Sequence, residues 1–470
     1  MPVVPLFGLS QQGKSATATA QRHLGLYAEI VQDADKSRLV FYGTPGLTLD
    51  YSYGDTPIRG SIAAGDFKYE VHRGTFWKAD NAGVRTSIGT IATTAGRVQF
   101  SSNGTQITLV DGAAAEYYVY TISGGAFDTV SANLVGTPID VTYADQYTIL
   151  AFADGKIQIS SPNQSKTLDA LDFATAESNP DGLLRVIADH GELVLAGENT
   201  IEFWGNTGGQ DFPYSNIRGA TLEFGLAAPS SLTKYNDSLA GLFRNEMGQV
   251  QVMMLRGHAV VPISTPEIDH IINGYGATSD ATAFSYMLGG HPMYQINFPS
   301  AGKSWLFDSH SGMWSPLESG LSGGRSRAEI RTSFLNKVRV TDYENGNVYT
   351  MEADAYSDNG TPIPREIITK HFFADAKDIS IRELQVEFES GVGLVSGQGS
   401  DPQAMLQISR DGGRTWGSER WASIGKIGEY TARVRWLRIG TGRDFVFKIR
   451  VTDPVKVAIA NAYIDFEVRR

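Results

Sequence analysis

The sequence contains no cysteine, which excludes disulfides and thiolate metal sites. Its eight histidines, at 23, 72, 190, 258, 270, 291, 310 and 371, never fall within five residues of one another. With no H-E-x-x-H pair or comparable ligand cluster, they read as surface or hydrogen-bonded core residues rather than metal ligands. There is no G-x-S-x-G elbow on which to anchor a serine hydrolase. Charged residues make up only 19% of the chain. No apolar run is long enough to cross a bilayer, and the opening VVPLFGL is short, lacks a basic start and is interrupted by Pro5. The expectation is a soluble protein made in a cytoplasm, with no membrane insertion.

What the chain has in abundance is glycine, 51 of 470 residues, together with Tyr, Phe, Thr and Val, and 41% of its residues are apolar. That combination points to many short strands joined by tight turns, in a chain long enough for more than one domain. The net charge of −11 is unevenly placed: residues 366–470 hold 16 Lys/Arg against 14 Asp/Glu, and the first 365 hold 24 against 37. An acidic larger part is poorly suited to gripping nucleic acid, where affinity comes from neutralising phosphates. It suits ordinary solubility, or a surface that DNA passes without sticking.

A hairpin recurs along the middle of the chain. FKYEVHRGTFWKAD begins at Phe67 and RVQFSSNGTQITLVDG at Arg97, and further copies begin at Tyr147, Leu193, Leu239, Met293 and Val338. Each is an alternating strand, a turn rich in Gly, Asn or Asp, and a second alternating strand. From Arg97 the starts lie 50, 46, 46, 54 and 45 residues apart. That interval leaves room for two more strands per copy, the spacing of four-stranded propeller blades that cover their faces by radial stacking. The alternative is a string of sandwich hairpins without radial closure. The fold class expected is all-β, a propeller of about six blades (seven also fit) with a C-terminal antiparallel β-sandwich or platform. Residues 1–60 are assigned to an N-terminal arm and strands joining the platform, and 61–356 to the propeller. SDNGTPIPRE (357–366) reads as a linker, and 367–470 as the sandwich. One helix, opened by Ser264-Thr265-Pro266-Glu267 and continued by IDHIINGY, is expected between blades.

Three motifs bear on chemistry. Gly8-Leu9-Ser10-Gln11-Gln12-Gly13-Lys14-Ser15 fits the phosphate-loop pattern G-x-x-x-x-G-K-[ST], a pattern that needs a strand before it and a helix after it. The next stretch of chain is SATATAQRH, with no amphipathic helix and no parallel α/β pattern downstream. The glycines instead suit an extended arm that bends against a neighbouring subunit, and no nucleotide or other cofactor is expected. Ser409-Arg410-Asp411-Gly412-Gly413-Arg414-Thr415-Trp416 fits the Asp-box S-x-D-x-G-x-T-W. Ser409 and Asp411 are expected to bond turn amides, Gly413 to take a left-handed conformation, and Trp416 to pack under the hairpin beside Thr415. The box signals a turn strongly and sugar chemistry weakly: sialidases carry several copies on propeller blades, whereas here one copy lies outside the propeller. Glycoside hydrolysis needs two carboxylates facing one bond, and pairs such as Asp169/Asp172 or Glu267/Asp269 are not singled out by anything around them. Finally, ten Lys/Arg against four Asp/Glu lie between Arg410 and Arg450, and alternation sets Arg433 and Arg435 opposite Val434 and Trp436. With Arg438 they form a candidate docking face for a protein partner, since the interleaved aromatics of single-strand binders are missing.

AESNPDGLLRVIADHGELVLAGENTIEFWGNTGG (176–209), the C-terminal SRDGGRTWGSERWASIGKIGEYTARVRWLRIGTGRDFVFKIRVTDPV and the pairing LYAEI…LVFYGTPGL (26–47) together resemble a known family. It is the packaged-DNA stabilisation proteins, or tail accessory factors (tail hub or nozzle), of short-tailed bacteriophages. Gly25 and Ala28 depart from the family's usual Asn and Pro in the arm. The resemblance implies a non-enzymatic virion protein of the tail, assembled in the host bacterial cytoplasm. It implies a homo-oligomeric ring, a hexamer, below the portal and its head-to-tail adaptor. That ring would stabilise the packaged DNA, form the channel for its ejection without sequence-specific binding, and hold the tail needle, fibres or tailspikes. The alternative carried with it is a glycan-binding or glycan-cleaving propeller protein.

Overall fold

The computed structural model of the protein describes residues 2–31, 38–176, 181–209, 212–375 and 377–469. Seven antiparallel sheets succeed one another: blade 1 (58–90), blade 2 (99–130), blade 3 (138–175), blade 4 (183–216), blade 5 (225–262), blade 6 (282–317) and blade 7 (328–352). The first strand of each blade, or its immediate neighbour, touches the next blade, and blade 7 returns to blade 1 through Ala328–Phe334 against Ile58–Ala64. The circle is therefore closed, and this is a propeller rather than a row of hairpins.

The blades number seven, where about six are expected from the repeat. Most of the repeating hairpins are the second and third strands of a blade, but the copy at Arg97 supplies the first and second strands of blade 2. Blade 7 has only three strands of its own, Ala328–Phe334, Lys337–Asp342 and Asn347–Glu352. Its fourth is Gly46–Ser52 from the N-terminal region, paired Gly46 to Glu352 and Ser52 to Asn347. A strand borrowed across some 300 residues leaves no trace in a local period.

Apolar clusters fill the seams between successive blades. Tyr69, Phe76, Ile107 and Tyr118 join blades 1 and 2, Tyr117, Val119, Leu150 and Phe152 join blades 2 and 3, and corresponding groups continue round to Phe284, Leu306, Val340 and Tyr349 between blades 6 and 7. The remaining seam, between blades 7 and 1, is ionic. Arg339, buried in blade 7, sets its Nε 2.5 Å from Asp50 Oδ2 in the borrowed strand and donates from Nη2 to Asn81 Oδ1 of blade 1 at 2.8 Å. Lys68 and Glu70 of blade 1, both buried, pair at 2.6 Å, and the Lys68 Nζ lies 4.4 Å from the centre of the Tyr51 ring.

The only α-helix among the described residues, Pro266–Ile272, lies between blades 5 and 6, with Pro266 in its first turn and Ile268 and Ile272 buried against both blades. The segment 357–366 is structured rather than a free linker. Ser357–Asp358 pairs with Thr361–Pro362, Asp358 lies in register with Leu47, and Arg365–Ile368 is already a sandwich strand. The sandwich has two sheets. One runs Leu26–Ile30, Leu39–Gly43, Ala458–Val468, Ile379–Phe388, Val434–Gly442, and the other Arg22–Leu24, Arg365–Ile368, Asp444–Val451, Gln403–Ser409, Arg420–Ser423. Alternating residues from both, among them Phe41, Leu384, Leu406, Trp436 and Phe447, close on one core.

Removing one member of a buried ionic group leaves the others desolvated and unpaired, at a cost of about 3–5 kcal/mol. Arg339→Ala is therefore expected to lower the unfolding free energy by about that amount in urea denaturation, and a loss under about 1 kcal/mol would mean that the seam does not depend on it.

Candidate docking surface

The N-terminal arm runs between the sandwich and blade 6. Val3–Val4 pairs antiparallel with Tyr463 and Ala462. Leu6 enters the sandwich core, and the buried Gln11 donates from Nε2 to the Trp314 carbonyl of blade 6 at 2.7 Å. The phosphate-loop letters therefore lie on a segment with no helix after them: residues 16–18 form a turn, with Ala18 N bonded to Ser15 O at 3.0 Å. A Cβ at Gly13 would sit 3.0 Å from Glu267 Cγ, which places an acidic side chain beside this glycine. A Cβ at Gly8 would come within 2.5 Å of Gln21 Oε1 and Lys370 Cε, two long side chains that fold over the arm there. Both glycines lie against side chains of the same chain.

Gly25 is the pivot between the two sheets. Arg22–Leu24 belongs to one and Leu26–Ile30 to the other, and the chain crosses at φ +63, in the left-handed region. Its amide donates to Pro316 O of blade 6 at 3.0 Å, and a Cβ would lie 2.5 Å from Pro364 O. Glycine and asparagine both reach that region at low cost, so Gly25 preserves the conformation where the resembled family has Asn. Next to it, His23 is fully buried and stacks on Phe41 with ring centres 4.9 Å apart. Burial lowers its pKa from 6.5 to about 4, so the ring is neutral.

The Asp-box residues come together as a turn at the end of Gln403–Ser409. Ser409 Oγ accepts from Gly413 N at 2.8 Å and donates to Asp411 Oδ1 at 2.7 Å. Thr415 donates from Oγ1 to Asp411 Oδ2 at 2.6 Å and from its amide to Oδ1 at 2.9 Å. These donors, the Thr415 hydroxyl first, hold the Asp411 carboxyl well below the usual carboxylate range. Gly413 has φ +87. With both oxygens engaged, Asp411 is spoken for within the turn and is unsuited to acid–base chemistry on a sugar. The turn instead receives the arm. Ala20 packs with Trp416, Ile368 and Val446, Arg414 Nη2 donates to Thr17 Oγ1 at 3.3 Å, and His371 bridges Asp444 through Nδ1 and the Ala16 carbonyl through Nε2, both at 2.8 Å. Sequence reasoning identified the turn but not this use of it, because Ala16, Ala20 and His371 carry no local signal.

Arg433 and Arg435 are exposed on either side of buried Val434, and Trp436 is buried, as alternation requires. The alternation then breaks at a bulge: Glu383 faces Leu437 while Ile381 faces Gly440, and Arg438 sits between at φ +57. Leu437 and Arg438 are thereby both turned outward. This strand is the edge of its sheet, and Arg420–Ser423 is the edge of the other. The two edges meet where Trp436 Nε1 donates to Arg420 O at 3.1 Å and Arg420 Nη1 donates to the Leu437 and Arg438 carbonyls. Trp421, 57% exposed, and Tyr430, 77% exposed, stand beside them. The aromatics that the strand sequence lacks thus arrive from neighbouring segments. Among the described residues, Arg433, Arg435 and Arg438 have no carboxylate partner, and no group of three His, Asp or Glu is placed to hold a metal ion.

Two family models match the chain: one described as bacteriophage P22 Gp10, beta-propeller, over residues 24–356, and one described as bacteriophage P22 Gp10, beta-sandwich, over 364–467. The chain is 26% identical over 308 residues to the tail hub protein gp10 of Salmonella phage P22. That alignment covers 62% of this chain and 62% of the relative. Among solved structures, the WD40 β-propeller domain of Doa1 superposes with a TM-score of 0.42 at 14% identity, over 66% of this chain and 97% of that one. The N-terminal domain of Nup159 gives 0.41 at 10% identity, over 70% and 98%.

Both the buried histidine and the Asp-box turn can be probed through the arm. The unfolded chain protonates His23 near pH 6.5 and the folded chain only near 4, so this residue withdraws stability as pH falls through that window, by about 3 kcal/mol in full. The gap between the unfolding free energies at pH 7.5 and 4.5 should narrow in His23→Leu by most of that amount relative to the parent, as read from urea titrations. Asp411→Ala should speed tryptic cleavage after Lys14 at pH 8, and an unchanged rate would separate the Asp-box from arm docking.

Proposed function

The chain belongs to the bacteriophage P22 Gp10 family, and from that premise we propose that it is a structural tail-hub protein of a short-tailed phage with no catalytic role. The observation that carries this reading is that a propeller model and a sandwich model of one family succeed each other along nearly the whole chain. In this reading copies of the subunit form a ring below the portal and its adaptor. The ring retains the packaged DNA, provides its exit and holds the needle, fibres or tailspikes. The acidic propeller supports such a role, since a surface repelling phosphates lets duplex DNA pass without adhering.

The docking surface in this reading is the joint edge of the sandwich. Unpaired Arg433, Arg435 and Arg438 beside exposed Trp421, Tyr430 and Leu437 match the composition of interface hot spots, in which Trp, Tyr and Arg dominate. An acidic, partly apolar face on the neighbouring ring is the complement. The same mixture of cations and aromatics also suits stacking with single-stranded nucleic acid, which makes that ligand an arm of the test.

Electron microscopy of the purified protein mixed with its portal and adaptor is expected to reveal a ring joined to that complex. A protein that stays monomeric and never joins it overturns the proposal. Arg433→Glu/Arg435→Glu/Arg438→Glu should abolish joining while leaving the thermal midpoint within a few degrees of the parent, because all three side chains face solvent. Tight binding of a single-stranded oligonucleotide, lost in the same variant, would reassign the face.

A further inference from the structure

The inner strands of the blades line a partly open axial pocket of ≈ 240 Å³, whose wall includes Gly60 of blade 1, Arg97 at the start of blade 2, Arg185 of blade 4, Thr233 of blade 5, Ser285 of blade 6 and Arg331 of blade 7. Contributions from six of the seven blades place it on the propeller axis. Three arginines and no carboxylate line it. This is the reverse of the surrounding region, where the first 365 residues hold 37 acidic against 24 basic side chains.

The carboxylates that answer these cations stand behind the wall. Arg185 is paired with the buried Asp140 at 2.8 Å, whose second role is to accept from Val186 N. Arg97 lies 3.4 Å from Glu329, which also takes Arg325 at 2.8 Å, so one carboxylate serves two guanidiniums. The Arg331 side chain has no ion-pair or hydrogen-bond partner among the described residues. Burial lowers the pKa of Arg97, Glu329 offsets this, and the nearby Arg185 lowers it further, as expected for cations crowded in one cavity. Like charges converging from separate blades are costly unless an anion neutralises them.

We propose that this cavity is a binding site for a small tetrahedral oxyanion of the phosphate class, held by Arg97, Arg185 and Arg331. Guanidinium forks match phosphate oxygens geometrically and donate charge-assisted hydrogen bonds. The volume is below the ≈ 300 Å³ at which pockets begin to take drug-sized ligands, so a free phosphate or a single phosphoryl group fits and duplex DNA does not. Bound there, the anion ties blades 2, 4 and 7 together at the axis, complementing the outer apolar seams. This site is independent of the tail-hub reading.

The test is calorimetric titration of the full chain with inorganic phosphate, and with acetate, in chloride buffers of matched ionic strength. One phosphate per chain is expected to bind, acetate more weakly, and phosphate should raise the thermal midpoint over chloride. Arg331→Gln, on an exposed side chain whose loss should spare the fold, is expected to weaken phosphate by about 10–100-fold, the worth of one charge-assisted contact. Arg382→Gln, in the sandwich, should leave it unchanged. No binding beyond the chloride control, equal binding by Arg331→Gln, or displacement of phosphate by duplex DNA would each overturn the proposal. Should Arg331→Gln fail to fold, the absence of a phosphate-dependent rise in the parent's midpoint decides against it by itself.

Discussion

The structure depends on the closure of a circle by a strand that comes from the wrong end of the propeller. Gly46–Ser52 precedes blade 1 in the chain yet completes blade 7, so the first and last blades are held by backbone hydrogen bonds as well as side chains. Without that strand, blade 7 would present an unpaired edge and the ring would have two ends. Apolar clusters join the other neighbours, but here Arg339, Asp50 and Asn81 do so, with Lys68 held under Tyr51. Directional contacts of this kind fix which strand fits where, and an apolar seam alone discriminates register less sharply.

The borrowed strand also explains how the propeller and sandwich form a continuous body. The chain reaches Gly46 only after Arg22–Leu24, Leu26–Ile30 and Leu39–Gly43 have been laid into the sandwich. It leaves blade 7 through Ser357–Asp358, in register with the same borrowed strand, and enters the sandwich again at Arg365. Arg365 is buried beneath Gly43, whose missing Cβ makes room for the guanidinium, and burial lowers its pKa to about 10. On the outer strand of blade 6, Trp314 is tied to both neighbours. Its indole donates to Ile263 O at 2.9 Å, and its carbonyl accepts from Gln11 of the arm.

Charge is sorted by position: acid over the propeller as a whole, arginine at its axis, and unpaired arginine with exposed aromatics along the sandwich edge. Each location favours a different encounter. A net acidic exterior resists polyanions over the distance of a Debye length, about 8 Å at physiological salt. A cationic pocket open to solvent but walled by protein concentrates attraction on an anion small enough to enter. An exposed edge of Arg, Trp and Tyr favours contact with a shaped partner.

Much of this was legible in the residues alone. The seven hairpins stand out as apolar strands around polar turns because each blade buries one face on the blade before it and the other on the blade after it, and the helix at Pro266 announces itself through its first turn. The Asp-box turn forms as its letters require, since its donors and acceptors lie within seven residues of one another. Local interactions of that kind are written locally. The phosphate-loop letters mislead for the same reason: the pattern is local, but its meaning rests on a strand and a helix that this chain does not place there. The seventh blade's completion, the pivot at Gly25, the cradle for the arm and the meeting of Arg420 with Trp436 and Leu437 join residues from more than ten to hundreds of positions apart. Their cause is the packing of complete sheets, which composition and spacing do not encode. The sequence by itself determined strands, turns and the distribution of charge. Only the tertiary structure decided which strand closes the ring and which charges face one another, because those choices are made by long-range burial after the local elements exist.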